Sequence, residues 1–361
     1  MTMNVIYVLD QNLVLQGVID EYVSTIWRPS YSEVGDFEIY LGATREAVAL
    51  LQKNWYVVRS SDVHVSDGVA TYRKVMVIKN TQLVTDVENG DYLTITGREM
   101  KFLLHQRIVW NQTTLTGTAE DAIRQLVTDN AISPADSKRI IPGLMLGDPA
   151  GLSDSINKQV TGECLDDVIA EICTAYNYGW ELYISAGKLV LEVYSGLDRS
   201  YEQTERPYVV FSNDFENLYN SDYQQFTEEF ANTTLIGGEG EGTERRFATL
   251  GDNNSGLNRF EVFTDARDIS SNANTADAIP EAEYLLMLQE RGRENLASLA
   301  VTEGFSGEVL PDVAFKYETD FFLGDIVTVI NEYGLRKNVR VLSAIESEDE
   351  AGMVLVPQFN I

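Results

Sequence analysis

Short apolar, β-branched runs broken by tight turn signals constrain this chain more than any other feature. The stretch "FFLGDIVTVINEYGLRKNVRVLSAIES" (residues 321–347) sets the run Asp325–Ile330 before a Glu332–Tyr333–Gly334 turn. A second run, Arg336 to Ser347, alternates at Val339, Arg340 and Val341 before its phase shifts. Turn chemistry and strand composition agree on a β-hairpin. Asp67–Gly68 and Asn89–Gly90 sit between apolar runs earlier in the chain and are among the strongest short-range hairpin signals.

These signals divide the chain into three. Residues 1–112 are β-rich: strands at Asn4–Leu9 and Val14–Val18, a short helix at Thr44–Lys53, then Trp55–Val65 and Ala70–Lys79 as a hairpin, and Gln82–Val87 turning into Tyr92–Thr96. Residues 113–205 change character. Thr118 is the N-cap type for a helix to about Asn130, with Asp121 three residues on. A loop, Ser133–Thr161, leads to a helix at Glu163–Tyr176 with Leu165, Val168, Ile169, Ile172, Cys173 and Tyr176 on one stripe. "GWELYISAGKLVLEVYSG" then forms a hairpin with Ser185–Gly187 at its tip. Residues 206–361 resume β structure, with strands near Tyr208–Phe211, Thr233–Ile236 and Phe260–Thr264 and one long helix at about 282–299. The outer regions match in order: "YRKVMVI" and "YLTIT" in the first, "LRKNVRVL" and "MVLVP" in the last. The expected fold is mainly β (α+β), two similar small β-barrels with an α+β module inserted between them.

With 361 residues and 44% hydrophobic content the chain is globular and long enough for two or three domains. It carries 27 Lys+Arg against 56 Asp+Glu, a net charge of −29. Residues 206–361 hold 11 basic against 28 acidic groups, so the excess lies mostly there. Such a balance opposes tight binding of a phosphate backbone. The start, "MTMNVIYVLDQNLVLQG", lacks the basic opening of a signal peptide. No stretch reaches the roughly 18 apolar residues of a membrane span. Cys164 and Cys173 fall on one expected helix, on opposite faces, which forbids a bond between them and fits synthesis in a reducing cytoplasm.

Tests for chemistry return little. Gly237–Gly238–Glu239–Gly240–Glu241–Gly242 lacks the Lys-Ser/Thr of a phosphate loop and carries two repelling glutamates; it reads as a mobile loop and a candidate interface. His64 and His105 stand alone, with no cysteine at metal-ligand spacing. No Gly-X-Ser-X-Gly elbow occurs. The acid clusters Asp166–Asp167, Glu228–Glu229 and Glu346–Glu348–Asp349–Glu350 fit solvated helix starts and turns better than a glycosidase pair. Trp27, Trp55, Trp110 and Trp180 are scattered among β elements, as packing residues are. No catalytic, cofactor or metal residue is therefore assigned.

The residues do resemble a family. "WRPSYSEVGDFEIYL" (27–41) and "YLTITGREMKFLLHQRIV" (92–109) resemble the opening barrel of baseplate hub proteins, the tail-associated structural proteins of long-tailed (siphovirus-like) phages and prophages. "GECLDDVIAEICTAYNYGWELYI" is similar to that family's inserted module. "NTTLIGGEGEGTERRF", "GLNRFEVFTDARDI" and "YETDFFLGDIVTV" are similar to its second half. The resemblance spans nearly the whole chain. It implies a non-enzymatic homotrimer whose two barrels per chain give six positions. Such a ring adapts a sixfold tail tube to a threefold tip and leaves a channel for DNA. Implied partners are the distal tail protein, tail tube and tape-measure protein above, and a spike, fibre or receptor-binding protein below. The implied location is the virion tail tip, with no membrane insertion. Relatives often carry a C-terminal enzyme or fibre extension; this chain stops at Ile361, so such activity is expected on another protein. Acidic groups lining the channel would let DNA slide through; a lumen lined by Arg and Lys would contradict this, and keeping the free subunit soluble is the alternative use of the charge. A tail-associated wall hydrolase and a host-carbohydrate-binding module are the competing classes.

Two Gly-Asp pairs, Gly35–Asp36 and Gly324–Asp325, are expected to be structural turns. Gly324 permits a positive φ where the chain leaves an expected Tyr317–Phe322 strand, and Asp325 can accept a turn hydrogen bond.

Overall fold

A computed structural model describes residues 4–360 except 89, 227, 274, 276–277, 301 and 309–313; Asn89 of the expected Asn89–Gly90 turn and the terminal Ile361 lie outside the described residues. Region one supplies β1 (Ile6–Leu9), β2 (Leu15–Ile19), β3 (Ser24–Arg28), β4 (Asp36–Gly42), α1 (Arg45–Leu50), β5 (Tyr56–Arg59), β6 (Val63–Ser66), β7 (Val69–Tyr72), β8 (Met76–Val84) and β9 (Tyr92–Glu99). The middle supplies β10 (Thr113–Thr118), α2 (Ala119–Val127), β11 (Leu144–Leu146), β12 (Ser155–Val160), α3 (Leu165–Tyr176), β13 (Gly179–Ser185) and β14 (Lys188–Tyr194). The last region adds β15 (Val210–Ser212), β16 (Tyr219–Phe226), β17 (Thr233–Gly237), β18 (Phe247–Leu250), β19 (Glu261–Asp265), α4 (Glu281–Ser298), β20 (Thr302–Glu308), β21 (Ile326–Ile330), β22 (Arg336–Asp349) and β23 (Gly352–Asn360).

The protein is mainly β. Alternation of buried and half-buried residues along β3, β4 and β9 is the period-2 signature of strands with one face in a core. The phase shift seen in the Arg336–Ser347 run is a β-bulge: β22 loses register with β23 between Val341 and Ser343. Thr118 caps α2 by accepting from the Asp121 backbone N–H.

The two outer regions meet in one sheet, ordered β16-β20-β23-β22-β3-β4-β9-β8-β5-β1-β2, with β15 and β21 joined to β22. Neither expected barrel closes among the described strands. The path is open, with β2 and β16 at its ends. Ring closure needs a pairing between the first and last strands of one half, and none is made.

Three other expectations change. The Trp55–Val65 and Ala70–Lys79 hairpin divides: Tyr56 pairs with Val77 in the large sheet, while β6 and β7 join β13 and β14 in a second sheet. A helical turn at Ser60–Asp62 and a left-handed Lys74 (φ 47) bend the chain from one sheet to the other. Ser133–Thr161 is not one loop, since it contains β11, parallel to β14, and β12, antiparallel to β10. Both are short, and β12 buries Lys158 and Gln159, so no apolar pattern announced it. β17, β18 and β19 leave the main sheet to form a three-stranded sheet backed by α4. Gly292 allows that packing, because a Cβ there would lie 2.7 Å from Ile236 Cδ1. The outer face of α4 meets the middle region: Lys158, buried, bonds Glu171 at 3.1 Å and also Glu294.

Candidate functional site

The seam between the outer regions runs where the end of β22 pairs with β3. Glu346 faces Trp27, Ser347 faces Ile26, Glu348 faces Thr25 and Asp349 faces Ser24. The Trp27 ring lies 5.1 Å from Phe37, and its indole N–H donates to the Lys74 carbonyl at 2.9 Å. Glu346 and Glu348, expected to be solvated, are only 7% and 8% exposed; Asp349 and Glu350 stay outside. The pairing of β22 with strands on both edges removes the two glutamates from water.

Both carboxylates are partnered. Glu346 accepts from Arg59 at 2.8 Å and Lys74 at 3.1 Å. Arg59 also grips Asp62 at 2.7 Å, and Lys74 reaches Glu318 at 2.9 Å. Burial would raise the Glu346 pKa, but Arg59 and Lys74 outweigh it and hold the carboxyl at about 2. Burial likewise pulls Arg59 and Lys74 down, yet the acids around each hold both well above their usual values. Glu348 accepts from the Asn4 backbone N–H at 3.0 Å, its side-chain amide at 2.9 Å and the Tyr22 hydroxyl at 2.9 Å.

Beside the seam, Tyr31 joins all three regions. Its backbone N–H donates to the Leu342 carbonyl at 2.7 Å; its hydroxyl donates to the Asn177 carbonyl at 2.8 Å and accepts from the Gly196 N–H at 3.0 Å. Gly179 and Gly324 flank the ring so closely that a Cβ on either would lie 2.2 Å from Tyr31 Cε2. Gly324 has φ +89, and no strand precedes it, only a bridge between Tyr317 and Phe321. Asp325, 2% exposed, accepts from Leu197 N–H at 2.7 Å through Oδ1, and from Arg199 Nε at 2.8 Å and Phe322 N–H at 3.0 Å through Oδ2. Gly35 is needed for a different reason: a Cβ would lie 2.1 Å from the Arg28 carbonyl oxygen. Asp36 opens β4 and pairs with Arg28 at 3.2 Å. Tyr31→Phe is expected to cost about 1–3 kcal/mol by orphaning the Gly196 and Asn177 groups. Urea denaturation checks this, and an unchanged midpoint would show that Tyr31 does not tie the regions together.

Between the three regions lies a cavity of about 520 Å³, into which Glu99, Glu181, Glu192, Glu318 and Asp325 face. Each is engaged: Glu99 with Lys101 at 3.3 Å, Glu181 with Arg73, Glu192 with Arg73 at 3.6 Å, Glu318 with Lys74 and Asp325 with Arg199. Burial raises the Glu181 carboxyl against the pull of Arg73. This is the geometry of a junction held by ion pairs, with each of these five carboxylates already paired.

The Gly237–Gly242 stretch lies apart from the seam. Its first part is packed against α4: a Cβ at Gly238 would lie 2.4 Å from the Tyr284 hydroxyl, and Glu239 bonds Arg246 and Ser271. Gly240 (φ +100) and Gly242 (φ +53) turn the chain, and Glu241 and Gly242 are exposed. His105 does not stand alone as a side chain. Its Nδ1 is 2.9 Å from Asp166 Oδ1, and with Cys164 and Asp167 it forms a group whose donor atoms lie within 4.8 Å of one another, the donor types a borderline divalent metal takes. His64 lines the cavity.

The fold can now be compared with known proteins. The model of the Siphovirus ReqiPepy6 Gp37-like protein family matches residues 5–359. The chain belongs to the Siphovirus ReqiPepy6 Gp37-like family. Among curated proteins no sequence match is found. The Gp37-like chain shares its fold with three crystal structures. A tail protein from Neisseria meningitidis MC58 has TM-score 0.60 and 14% identity, over 99% of this chain and 96% of that one. The prophage MuSo2 43 kDa tail protein from Shewanella oneidensis has TM-score 0.58 and 12% identity, over 99% and 98%. Prophage tail protein gp18 from Listeria monocytogenes EGD-e has TM-score 0.52 and 13% identity, over 99% and 94%. The resemblance to tail-associated proteins of long-tailed phages is thus met at the level of family and fold. None of the comparisons pointed to the seam, nor did any sequence motif: Glu346 lies more than 250 positions from Arg59 and Lys74.

Proposed function

We propose that this Gp37-like chain is a non-enzymatic component of a phage tail tip, three copies of which form a hub ring with a central channel. The observation that carries the reading is an internal repeat of strand order. The first region runs β3-β4-β9-β8-β5-β1, and the last runs β16-β20-β23-β22-β21-β15. The details repeat as well. β8 slips by one residue against β9 between Ile78 and Asn80, as β22 does against β23 between Val341 and Ser343. Trp27 faces Phe37 across β3 and β4, and Tyr223 faces Phe305 across β16 and β20. The final pair differs, β1 running antiparallel to β5 and β15 parallel to β21.

Two like halves per chain give three chains six like positions, the requirement for an adaptor between sixfold and threefold symmetry. The paired carboxylates of the junction support a structural role. The distal tail protein, tail tube and tape-measure protein remain the proposed neighbours on one side and a spike, fibre or receptor-binding protein on the other. The test is the solution mass by light scattering across a concentration series. One chain weighs 40.4 kDa, so about 121 kDa is expected for three copies. A stable dimer would overturn the ring.

A further inference from the structure

The seam joins unlike edges: β22 of the last half offers one, and β3 of the first half offers the other. A head-to-tail contact of this kind does not use itself up. Applied again between copies, it continues until it closes into a ring or runs on as a filament. The strand repeat identifies the edges that remain. The counterpart of β22 is β8, and the counterpart of β3 is β16.

Among the described strands, none pairs with either counterpart on the relevant side. The part of β22 that meets β3 begins beyond the bulge, and the same part of β8, Asn80–Val84, pairs only with β9 and is exposed throughout. Leu83 and Val84 are 51% and 45% exposed. Among the described strands, β16 pairs with β20 and ends the large sheet. An open strand edge with apolar side chains beside it is a template for another strand. Within one chain β8 and β16 do not meet; a second copy can bring them together.

We propose that copies of this chain assemble by pairing β8 of one with β16 of the next, antiparallel, in the register that the internal seam already uses. The repeat sets that register residue by residue. Asn80 faces Thr96 just past the bulge in β8, and Ser343 faces Gln358 just past the bulge in β22, so Asn80 corresponds to Ser343 and Leu83 to Glu346. Phe37 corresponds to Phe305, since each sits opposite its half's closing strand at Gly97 and Phe359, so Trp27 corresponds to Tyr223. In the seam Glu346 faces Trp27 and Ser347 faces Ile26. Between copies, Leu83 then faces Tyr223 of the neighbour, and Val84 faces Asp222.

The chemistry of the new contact is not a copy of the old one. Glu346 is drawn into the seam by Arg59 and Lys74, whereas Leu83 is apolar and brings no charge to bury. On the β8 side, an edge that must stay soluble before assembly and release water on pairing suits exposed Leu and Val, while on the β16 side Asp222 keeps its bond from Gln224 Nε2 at 2.7 Å at the exposed rim.

The inference rests on the ring proposed above, and the experiment separates the two. Double variants Leu83→Cys with Tyr223→Cys and Val84→Cys with Asp222→Cys are made in a Cys164→Ser background and oxidised mildly. Paired positions hold Cα atoms about 4.5–5.5 Å apart, within disulfide reach. Asn80→Cys with Tyr223→Cys is the control, three residues out of register and about 10 Å away. Expected is a ladder of covalent multimers from at least one of the paired variants, absent from the control and from each single variant. Amide hydrogen exchange of the unaltered chain, comparing dilute and concentrated samples, is expected to slow at 81–84 and 221–224. Multimers by light scattering with neither cross-link nor protection would overturn the register and leave the ring standing. Monomers at every concentration, with no cross-link, would overturn both. Equal cross-linking by the control would overturn the register alone.

Discussion

Asp325→Ala is expected to lower stability by about 3–5 kcal/mol, the cost of removing one partner from a buried ion pair. The carboxylate serves three donors from two directions. Phe322 N–H closes the local turn, whereas Leu197 N–H and Arg199 belong to the strap that leaves the middle region. Alanine strands the Arg199 guanidinium and two part-buried backbone donors, Leu197 N–H and Phe322 N–H, at once. Asp325→Asn is expected to fall between, because its amide oxygen can still accept. Equilibrium denaturation in guanidinium measures both. An alanine variant within about 0.5 kcal/mol of the parent, the range of an ordinary surface change, would show that the side chain does not hold the junction.

Glu346→Gln is expected to cost about 3 kcal/mol near neutral pH and almost nothing near pH 2. The folded carboxyl sits at about 2 against an ordinary value of 4.5, and each unit is worth about 1.4 kcal/mol. A depressed carboxyl contributes stability that is complete above its unfolded value and is lost as pH falls through its folded one. The gap between parent and variant should therefore be constant above about pH 5 and close between about 4.5 and 2. Glu318 shifts the other way, raised first by burial and also, as a smaller cause, by the Glu346 charge, against the pull of Lys74; the variant removes that smaller cause, which narrows the gap slightly at neutral pH without changing its direction. Denaturation at a series of pH values checks it. A gap independent of pH would mean that Glu346 is not held ionised by Arg59 and Lys74.

Local chemistry was legible where neighbours in sequence are neighbours in space. Thr118 caps its helix, the Ser185–Gly187 tip turns β13 into β14, and the long helix lies within one residue of its expected bounds. Even the phase shift in β22 was visible, and it is the bulge. Less legible was which sheet each strand joins. β17 and β19 carry β-branched and apolar residues like the main-sheet strands, and the packing of α4 through Gly292 draws them away. β11 and β12 were hidden because three residues, or a strand that buries Lys158 and Gln159, give no periodic signal.

The seam shows the same limit more sharply. Glu346 and Glu348 look like solvated turn acids in sequence, and the sequence places no cation beside them. Their partners Arg59, Lys74, Asn4 and Tyr22 are more than 250 positions away and arrive only when β3 is laid against β22.

What the sequence by itself determined is the local grammar: turn residues, helix caps, strand alternation and the order in which two like sets of strands appear. Those depend on φ/ψ preferences and hydrogen bonds that span a few residues. What only the tertiary structure decided is that the two sets share one sheet through unlike edges and do not close as separate barrels. An edge strand's unpaired N–H and C=O groups accept any strand that reaches them, so the choice of partner depends on which edge the rest of the fold delivers.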